Sequence, residues 1–236
     1  MIDINCDVGE GLNNEHLLMP YISSCNIACG GHAGDLVTIR KVVALAKVYD
    51  VKIGAHPSYP DPENFGRITM QLSPDELSKT INDQIQSLLK VVFDAGSKLH
   101  HIKPHGALYN DLAKNLPLAK IFLNAIEGYR EQYALYVPFG SAIEKEALAR
   151  NFKIIYEAFA DRNYNDDLSL VSRQKKDALL TNSDHIITHI SLMRSGQVKA
   201  ISGKKIPIKA DTFCVHSDTN NAIDIVKTIH NAFSDI

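Results

Sequence analysis

The chain has 236 residues, of which 45% are hydrophobic and 22% are charged, and its formal net charge is −2. This length is enough for one domain with an extensive core, so we predict a single domain over residues 1–236. The small net charge argues against a nucleic-acid-binding protein and against binding to an anionic membrane surface.

The N-terminal sequence and the cysteines indicate the compartment. The first residues are charged from Asp3 onward and contain no apolar h-region, and no segment approaches the roughly 20 apolar residues of a membrane span. We therefore expect a cytoplasmic protein without a signal peptide or a membrane anchor. The four cysteines fall in strand-like segments, and the C-x3-C pair has no second pair to complete a zinc site, so we expect reduced, buried thiols at Cys6, Cys25, Cys29 and Cys214.

Short apolar runs alternate with longer segments of helical periodicity along the whole chain. The patterns predict seven strands, at Ile2–Cys6, Cys25–Cys29, Val51–Ala55, Leu99–Lys103, Ala134–Pro138, Lys153–Ala158 and Ile208–Val215. They also predict seven helices, at His16–Ile22, Leu36–Tyr49, Pro74–Ala95, Leu116–Glu131, Ala142–Asn151, Asp184–Ser195 and Asn220–Phe233. Repeated strand–helix units of this kind indicate a parallel α/β architecture.

The polarity of the strands favours a closed barrel over an open sheet. In the first strand Ile4 and Cys6 share one face, whereas Asn5 and Asp7 share the other, because side chains alternate along a strand. A strand covered by helices on both faces would be apolar on both. The polar face therefore predicts a seven-stranded (β/α) barrel with a polar interior, and the fourth strand repeats the pattern with His101, Lys103 and His105.

Polar residues gather where the predicted strands end. Four histidines follow four different strands, and in a barrel these carboxyl ends form one rim, where barrel active sites are built. We predict catalytic roles within the set Asp7, His32, His56, Lys103, His105 and Glu157. We predict substrate binding by the set Asn5, Asn26, Asp35, Arg67, Tyr109, Arg162, Asp211 and His216.

Three motifs of common active sites are missing from the sequence. The Gly203-Lys204-Lys205 segment lacks the spacing and the hydroxyl of a phosphate-binding loop, and no G-x-G-x-x-G opens a helix. No G-x-S-x-G nucleophile elbow occurs either. The sequence therefore contains neither a standard nucleotide-binding motif nor a standard serine nucleophile.

At the strand ends the sequence resembles the LamB/YcsF (lactam-utilisation) family. The similar blocks run in order from residue 2 to beyond residue 218, and they include 3–11, 26–30, 32–35, 54–61, 65–67, 103–109 and 159–162. Two positions depart from the family pattern: Gly31 stands where a bulky aromatic is expected, and Ser217 stands where glycine is expected. Neither departure removes a titratable group.

The resemblance implies a fold, a reaction and partners. The fold would be the seven-stranded barrel shared with some glycoside hydrolases and polysaccharide deacetylases. The activity would be that of the A subunit of an ATP-dependent 5-oxoprolinase, which converts 5-oxoproline and water to glutamate while ATP is hydrolysed to ADP and phosphate. ATP would be a co-substrate bound with the partner subunits B and C.

Opening a lactam requires an acid, a base and a carboxylate anchor, because the amide is a poor electrophile. We predict Asp7 or Glu157 as the base and Lys103 or Arg162 as the anchor of the substrate carboxylate. The general acid is predicted among the three histidines His32, His56 and His105. An alternative role for Lys103 is a buried ion pair with Asp7 or Glu157.

Two other functions stay open at the level of sequence. Asp7, His32, His56 and His105 could bind a divalent ion in a metal-dependent amide hydrolase or deacetylase, although the absence of a compact H-x-x-x-H spacing favours a site without metal. Alternatively, the chain could be a non-catalytic subunit that delivers substrate, since it lacks a phosphate-binding loop.

Overall fold

A computed structural model describes residues 2–234 and shows a closed barrel of seven parallel strands. The barrel strands are β1 (Ile4–Val8), β2 (Ser24–Ala28), β3 (Lys52–His56), β4 (Leu99–Ile102), β5 (Ala134–Pro138), β6 (Ile154–Phe159) and β9 (Thr212–Cys214). They are joined in the order β1-β2-β3-β4-β5-β6-β9, and β9 closes the barrel against β1. The predicted seven-stranded barrel is confirmed.

Helices cover the outside of the barrel. Their bounds are α1 (Glu15–Leu18), α2 (Leu36–Val48), α3 (Pro74–Asp94), α4 (Gly106–Lys114), α5 (Leu116–Ala125), α6 (Ala142–Ala149), α7 (Ser183–Arg194) and α8 (Ala222–Phe233). A hairpin of β7 (Gln197–Lys199) and β8 (Lys205–Pro207) lies between α7 and β9. Within residues 2–234, no helix is both long enough and apolar enough to cross a bilayer.

The structure differs from the predicted elements at five places. Helix α4 and the β7–β8 hairpin were not predicted, and the segment predicted as one helix over Leu116–Glu131 ends at Ala125 and continues as a 3₁₀ turn. The first predicted helix is a single α-helical turn followed by a 3₁₀ turn, which begins just before Pro20. The last strand begins at Thr212, four residues later than predicted, because the backbone N–H of Ile208 donates to Gly196 O beside the hairpin.

The barrel interior is polar, as the alternation in the first strand predicts. The register places Asp7, Asn26, Gly54 and His101 side by side on adjacent strands. His101 Nε2 donates to Asn26 Oδ1 at 2.6 Å, across the position of Gly54. A Cβ at Gly54 would lie 2.1 Å from this Nε2, so only glycine leaves room for the contact.

Gly31, where the resemblance led us to expect a bulky aromatic, also has a packing reason. A Cβ on Gly31 would lie 2.3 Å from Ser58 Oγ and 2.4 Å from Gln84 Oε1. The Gln84 side chain fills this space and bonds the Ser58 backbone, accepting from its N–H at 3.0 Å and donating to its carbonyl at 2.9 Å. The segment before His32 is therefore closely packed.

Candidate functional site

A cavity of about 460 Å³ opens at the carboxyl ends of the barrel strands. Acidic and imidazole side chains line its lower part, and they include Asp7, Glu10, His56, His105 and His216. Three arginines line its walls, namely Arg67, Arg162 and Arg173. The structure thus brings most of the predicted site residues to one cavity at the predicted rim.

Lys103 is the buried cation at the base of this cavity. Its Nζ lies 2.8 Å from Asp7 Oδ1, 2.9 Å from Glu157 Oε1 and 3.2 Å from Cys214 Sγ. Burial alone would lower the lysine pKa, but the negative charges of Asp7 and Glu157 outweigh burial and hold the pKa well above its usual value. Lys103 is therefore charged. It forms ion pairs with both Asp7 and Glu157, which is the alternative role that the sequence left open for it.

Asp7 connects Lys103 to the histidines. Its Oδ1 also accepts from Asn26 Nδ2 at 2.8 Å, and its Oδ2 lies 3.5 Å from His56 Nε2. Burial would raise the Asp7 pKa, yet the charges of His56 and Lys103 hold it well below the usual range. Asp7 is consequently an ionised carboxylate at neutral pH.

Asn5 and Asn26 lie inside the barrel, below the rim. Both are fully buried, and Asn26 Nδ2 donates to Asn5 Oδ1 at 2.8 Å. Asn5 Nδ2 donates in turn to Thr212 Oγ1 at 2.9 Å. Neither residue lines the cavity; Asn26 donates to Asp7, and Asn5 accepts from the same amide group of Asn26.

His56 and His105 face each other with defined tautomers. His56 Nδ1 donates to Lys103 O at 2.7 Å, and His105 Nε2 donates to Phe65 O at 2.9 Å, because a carbonyl oxygen can only accept. Their other nitrogens, His56 Nε2 and His105 Nδ1, are 2.9 Å apart. Burial and the charges of neighbouring histidines lower the pKa of His105 well below its usual value, so its ring is neutral.

His32 supports this pair without lining the cavity. Its ring stacks on His105 with centroids 3.6 Å apart and an interplanar angle of 3°. Its Nε2 lies 2.9 Å from Glu10 Oε1. Burial, with the charge of His56, lowers the pKa of His32 to about 3, so the neutral ring donates to the Glu10 carboxylate.

Glu10 is a cavity residue that was not predicted as part of the site. Its Oε1 lies 3.4 Å from His105 Nδ1 and 3.9 Å from His56 Nε2. Burial and the charge of Asp7 raise the pKa of Glu10 to about 7. The sequence places Glu10 after the first strand, but only the turn at Gly9, where φ is +74°, brings it toward the histidines.

Arg162 differs from the other two arginines in its hydrogen bonding. Arg67 and Arg173 both bind the carboxylate of Asp218. Arg162 is 5% exposed, and its Nη2 donates to Val171 O at 2.6 Å. Its Nε has no hydrogen-bond partner among residues 2–234, which leaves a buried donor at the cavity wall.

Tyr109 and His216 line the cavity, and the rings of both pack against Phe159. The Tyr109 hydroxyl is buried and has no hydrogen-bond partner within the described part of the chain. Burial and the charge of Glu157 raise its pKa well above the usual value, so it remains a donor. His216 Nδ1 lies 3.0 Å from Asp161 Oδ1, and this contact fixes the orientation of the ring.

Besides Asn5 and Asn26, two further predicted substrate-binding residues do not line the cavity. Asp35 is exposed and caps helix α2, where its Oδ1 accepts from Thr38 N at 2.7 Å. Asp211 precedes β9 at its amino end, because the last strand is shorter than predicted, and its Oδ2 accepts from Tyr156 N at 2.9 Å. Both residues therefore lie apart from the predicted site residues that the structure brings together at the rim.

The sequence matches the family model described as the LamB/YcsF family over residues 2–235. A Bacillus cytotoxicus protein named as the A subunit of 5-oxoprolinase is 40% identical over 98% of this chain and 94% of its own length. An Acinetobacter baumannii (strain ACICU) protein of the same name is 42% identical over 97% of this chain and 92% of its own length. The crystal structure of a lactam utilization protein from Thermus thermophilus matches with a TM-score of 0.92 and 32% identity, and it covers 99% of this chain and 96% of that chain.

Proposed function

This chain belongs to the LamB/YcsF family, and on that premise we propose that it is the A subunit of an ATP-dependent 5-oxoprolinase. The reaction opens the lactam of 5-oxoproline to give glutamate, with hydrolysis of ATP to ADP and phosphate. The name shared by two relatives that cover nearly the whole chain supports this role. The observation that carries it is a rim cavity that combines a buried ammonium, an ionised carboxylate and a free guanidinium donor.

Arg162 is the anchor that we propose for the carboxylate of 5-oxoproline. A planar guanidinium binds carboxylates through paired N–H donors, and the Nε of Arg162 is available for this purpose. Lys103 is less suited to the same role because Asp7, Glu157 and Cys214 already surround its ammonium group. Its fixed positive charge instead stabilises the negative charge that develops when water adds to the ring carbon.

Asp7 is the base that we favour over Glu157. Asp7 lines the cavity and is ionised, whereas the Glu157 side chain is 0% exposed and does not line the same cavity. Among the predicted acids, His32 is unsuited because its pKa is about 3 and it does not line the cavity. His105 lines it but has a pKa well below its usual value, so His56, which also lines it, remains the candidate for protonating the ring nitrogen.

ATP and the partner subunits B and C belong to the same proposal. The names of the relatives describe one subunit of an enzyme, which supports an assembly of different chains. The missing phosphate-binding loop agrees with an ATP site that involves the partners. In this assembly ATP phosphorylates the amide oxygen of 5-oxoproline, and water then adds to the ring carbon. The C–N bond breaks as the ring nitrogen takes a proton, and a second water releases phosphate from the acyl phosphate that remains, giving glutamate.

Direct binding of 5-oxoproline to the purified chain tests the proposed substrate. By calorimetry we expect 5-oxoproline to bind at least tenfold more tightly than 2-pyrrolidone, which lacks the carboxylate, or proline, which lacks the lactam carbonyl. Arg162→Gln should remove the preference over 2-pyrrolidone, because the charged partner of the carboxylate is lost. The exposed control Lys175→Ala should keep it. Equal binding of all three ligands to the wild-type chain would overturn the substrate assignment.

A further inference from the structure

His56 Nε2 and His105 Nδ1 face each other so closely that two lone pairs there would repel. Backbone carbonyls of Lys103 and Phe65 take one N–H of each ring, so the two nitrogens that face each other both carry lone pairs unless one of them binds a proton. These nitrogens are only 2.9 Å apart. Two lone pairs at this distance repel, so a positive centre, either a proton or a metal ion, must lie between them or beside them.

Glu10 completes a set of three ligand atoms around this position. Its Oε1 lies 3.4 Å from His105 Nδ1 and 3.9 Å from His56 Nε2. Nitrogen and oxygen ligands at about 2.0–2.1 Å from a tetrahedral ion stand about 3.3 Å from each other. The three observed separations, 2.9, 3.4 and 3.9 Å, scatter around that spacing.

We propose that Glu10, His56 and His105 bind a divalent transition-metal cation of the zinc class. Two imidazoles and one carboxylate are ligands that zinc accepts, and three protein ligands leave a fourth position open toward the cavity. This site goes beyond the proposed 5-oxoprolinase function and does not depend on it. It also departs from the expectation from sequence spacing, which favoured a site without metal and gave Asp7, His32, His56 and His105 as the alternative ligands.

Hydrogen bonds hold each of the three ligands in place, as they do in metal sites of known proteins. Metal-binding histidines usually donate their second N–H to a carbonyl or a carboxylate, which fixes the ring and the tautomer, and both rings do so here. The ligand carboxylate is also held, because His32 Nε2 donates to Glu10 at 2.9 Å.

The balance of buried charge favours a divalent ion over a shared proton. Three buried carboxylates, Asp7, Glu10 and Glu157, belong to the contact network around Lys103 and His56, and their side chains are 6%, 6% and 0% exposed. Lys103 is the one lysine or arginine in that network of contacts. With Glu10 ionised, as a metal ligand must be, the network carries a charge of −2, which a divalent cation cancels and a single imidazolium only halves.

A second group of candidate ligands in the same cavity is less suitable. Asp7, Cys214 and His216 also bring ligand atoms within 4.8 Å of one another. The ammonium of Lys103, however, already lies 2.8 Å from Asp7 Oδ1 and 3.2 Å from Cys214 Sγ. A cation at that position would face the charge of Lys103 directly, so the ion belongs at Glu10, His56 and His105.

A bound ion would change the roles of the cavity residues. His56 and His105 would be ligands, and protonation of the ring nitrogen would pass to another group, for which His216 lines the same cavity. Asp7 would stand beside the ion, with its Oδ2 3.5 Å from His56 Nε2. A carboxylate in that position can take a proton from a metal-bound water, whose pKa the ion lowers.

Metal titration of chelator-treated protein tests the site without any activity assay. By calorimetry we expect one Zn²⁺ per chain, and with Co²⁺ we expect the intense visible absorption of a tetrahedral complex. His105→Gln and Glu10→Gln should each weaken binding at least about 100-fold, because even changes to outer-shell partners cost about 10–100-fold. His185→Gln, on the exposed face of α7, is the matched histidine control and should bind like wild type.

Three results would overturn the proposal. They are the absence of stoichiometric binding of Zn²⁺ or Co²⁺ to wild-type protein, unchanged binding in both ligand variants, and a protonated His56–His105 pair seen by nitrogen NMR with Zn²⁺ present. Circular dichroism melting of each variant checks that it is folded. Glu10→Gln carries the test if His105→Gln does not fold, since the Glu10 backbone lies in a loop after β1.

Discussion

Replacing Lys103 with methionine is expected to lower the free energy of unfolding by about 3–5 kcal/mol, the cost of breaking a buried ion pair. Methionine fills a similar volume but leaves Asp7 and Glu157 facing each other inside the barrel without a cation. Lys103 is 2% exposed and lies within 3 Å of both carboxylates, so water cannot replace the lost charge. Urea unfolding monitored by circular dichroism measures the change.

An exposed lysine that also forms an ion pair serves as the control, because it shows how much of the stability loss comes from burial of the pair rather than from loss of the charge alone. Lys79 pairs with Asp83 on the surface of α3, where its side chain is 77% exposed. Lys79→Met should therefore change stability by less than about 1 kcal/mol. The double variant Lys103→Met/Glu157→Gln should recover part of the loss, because only one carboxylate then remains uncompensated. If Lys103→Met and Lys79→Met unfold at the same urea concentration, the buried pair does not hold the barrel together.

Replacing Asp7 with asparagine is expected to lower turnover about 10²-fold or more, the usual scale for losing a general base. Asparagine keeps an oxygen that can accept from Asn26 and Lys103, and Lys103 keeps Glu157 as its charged partner at 2.9 Å. We therefore expect a stability loss of about 1–2 kcal/mol, smaller than for Lys103→Met. Steady-state kinetics and thermal melting of the same preparation measure the two effects together.

A surface control and the combined pattern of turnover and stability distinguish a catalytic Asp7 from a merely structural one. The surface control Lys175→Ala should change neither turnover nor melting. If Asp7 serves only as the partner of Lys103, its variant should lose about 3–5 kcal/mol of stability and keep wild-type turnover in the folded fraction. That pattern would refute the assignment of Asp7 as the base.

The barrel and the location of its site could be predicted from the sequence because alternation is a local property. Asn5 and Asp7 fall on one face of β1 whatever the rest of the chain does, and a polar face in a parallel strand indicates a barrel interior. The carboxyl ends of the strands then fix the rim, where His56, Lys103 and His105 meet.

Contacts set by turns and strand lengths could not be predicted in the same way. Glu10 reaches the histidines only through the conformation of the chain at Gly9, and no spacing in the sequence indicates it. Asp211 was predicted to lie within the last strand, but that strand begins four residues later than predicted, so Asp211 precedes its amino end. The tautomers of His56 and His105 depend on two backbone carbonyls that only the tertiary structure brings near.

Glutamate release from 5-oxoproline tests the central claim most directly, when this chain and the B and C subunits are mixed in every combination with and without ATP. We expect release only when all three chains and ATP are present, and no appreciable turnover by this chain alone. Full ATP-coupled release by this chain alone would contradict its proposed place as one member of an assembly. Undiminished release by the B and C subunits without this chain would contradict its proposed part in the reaction.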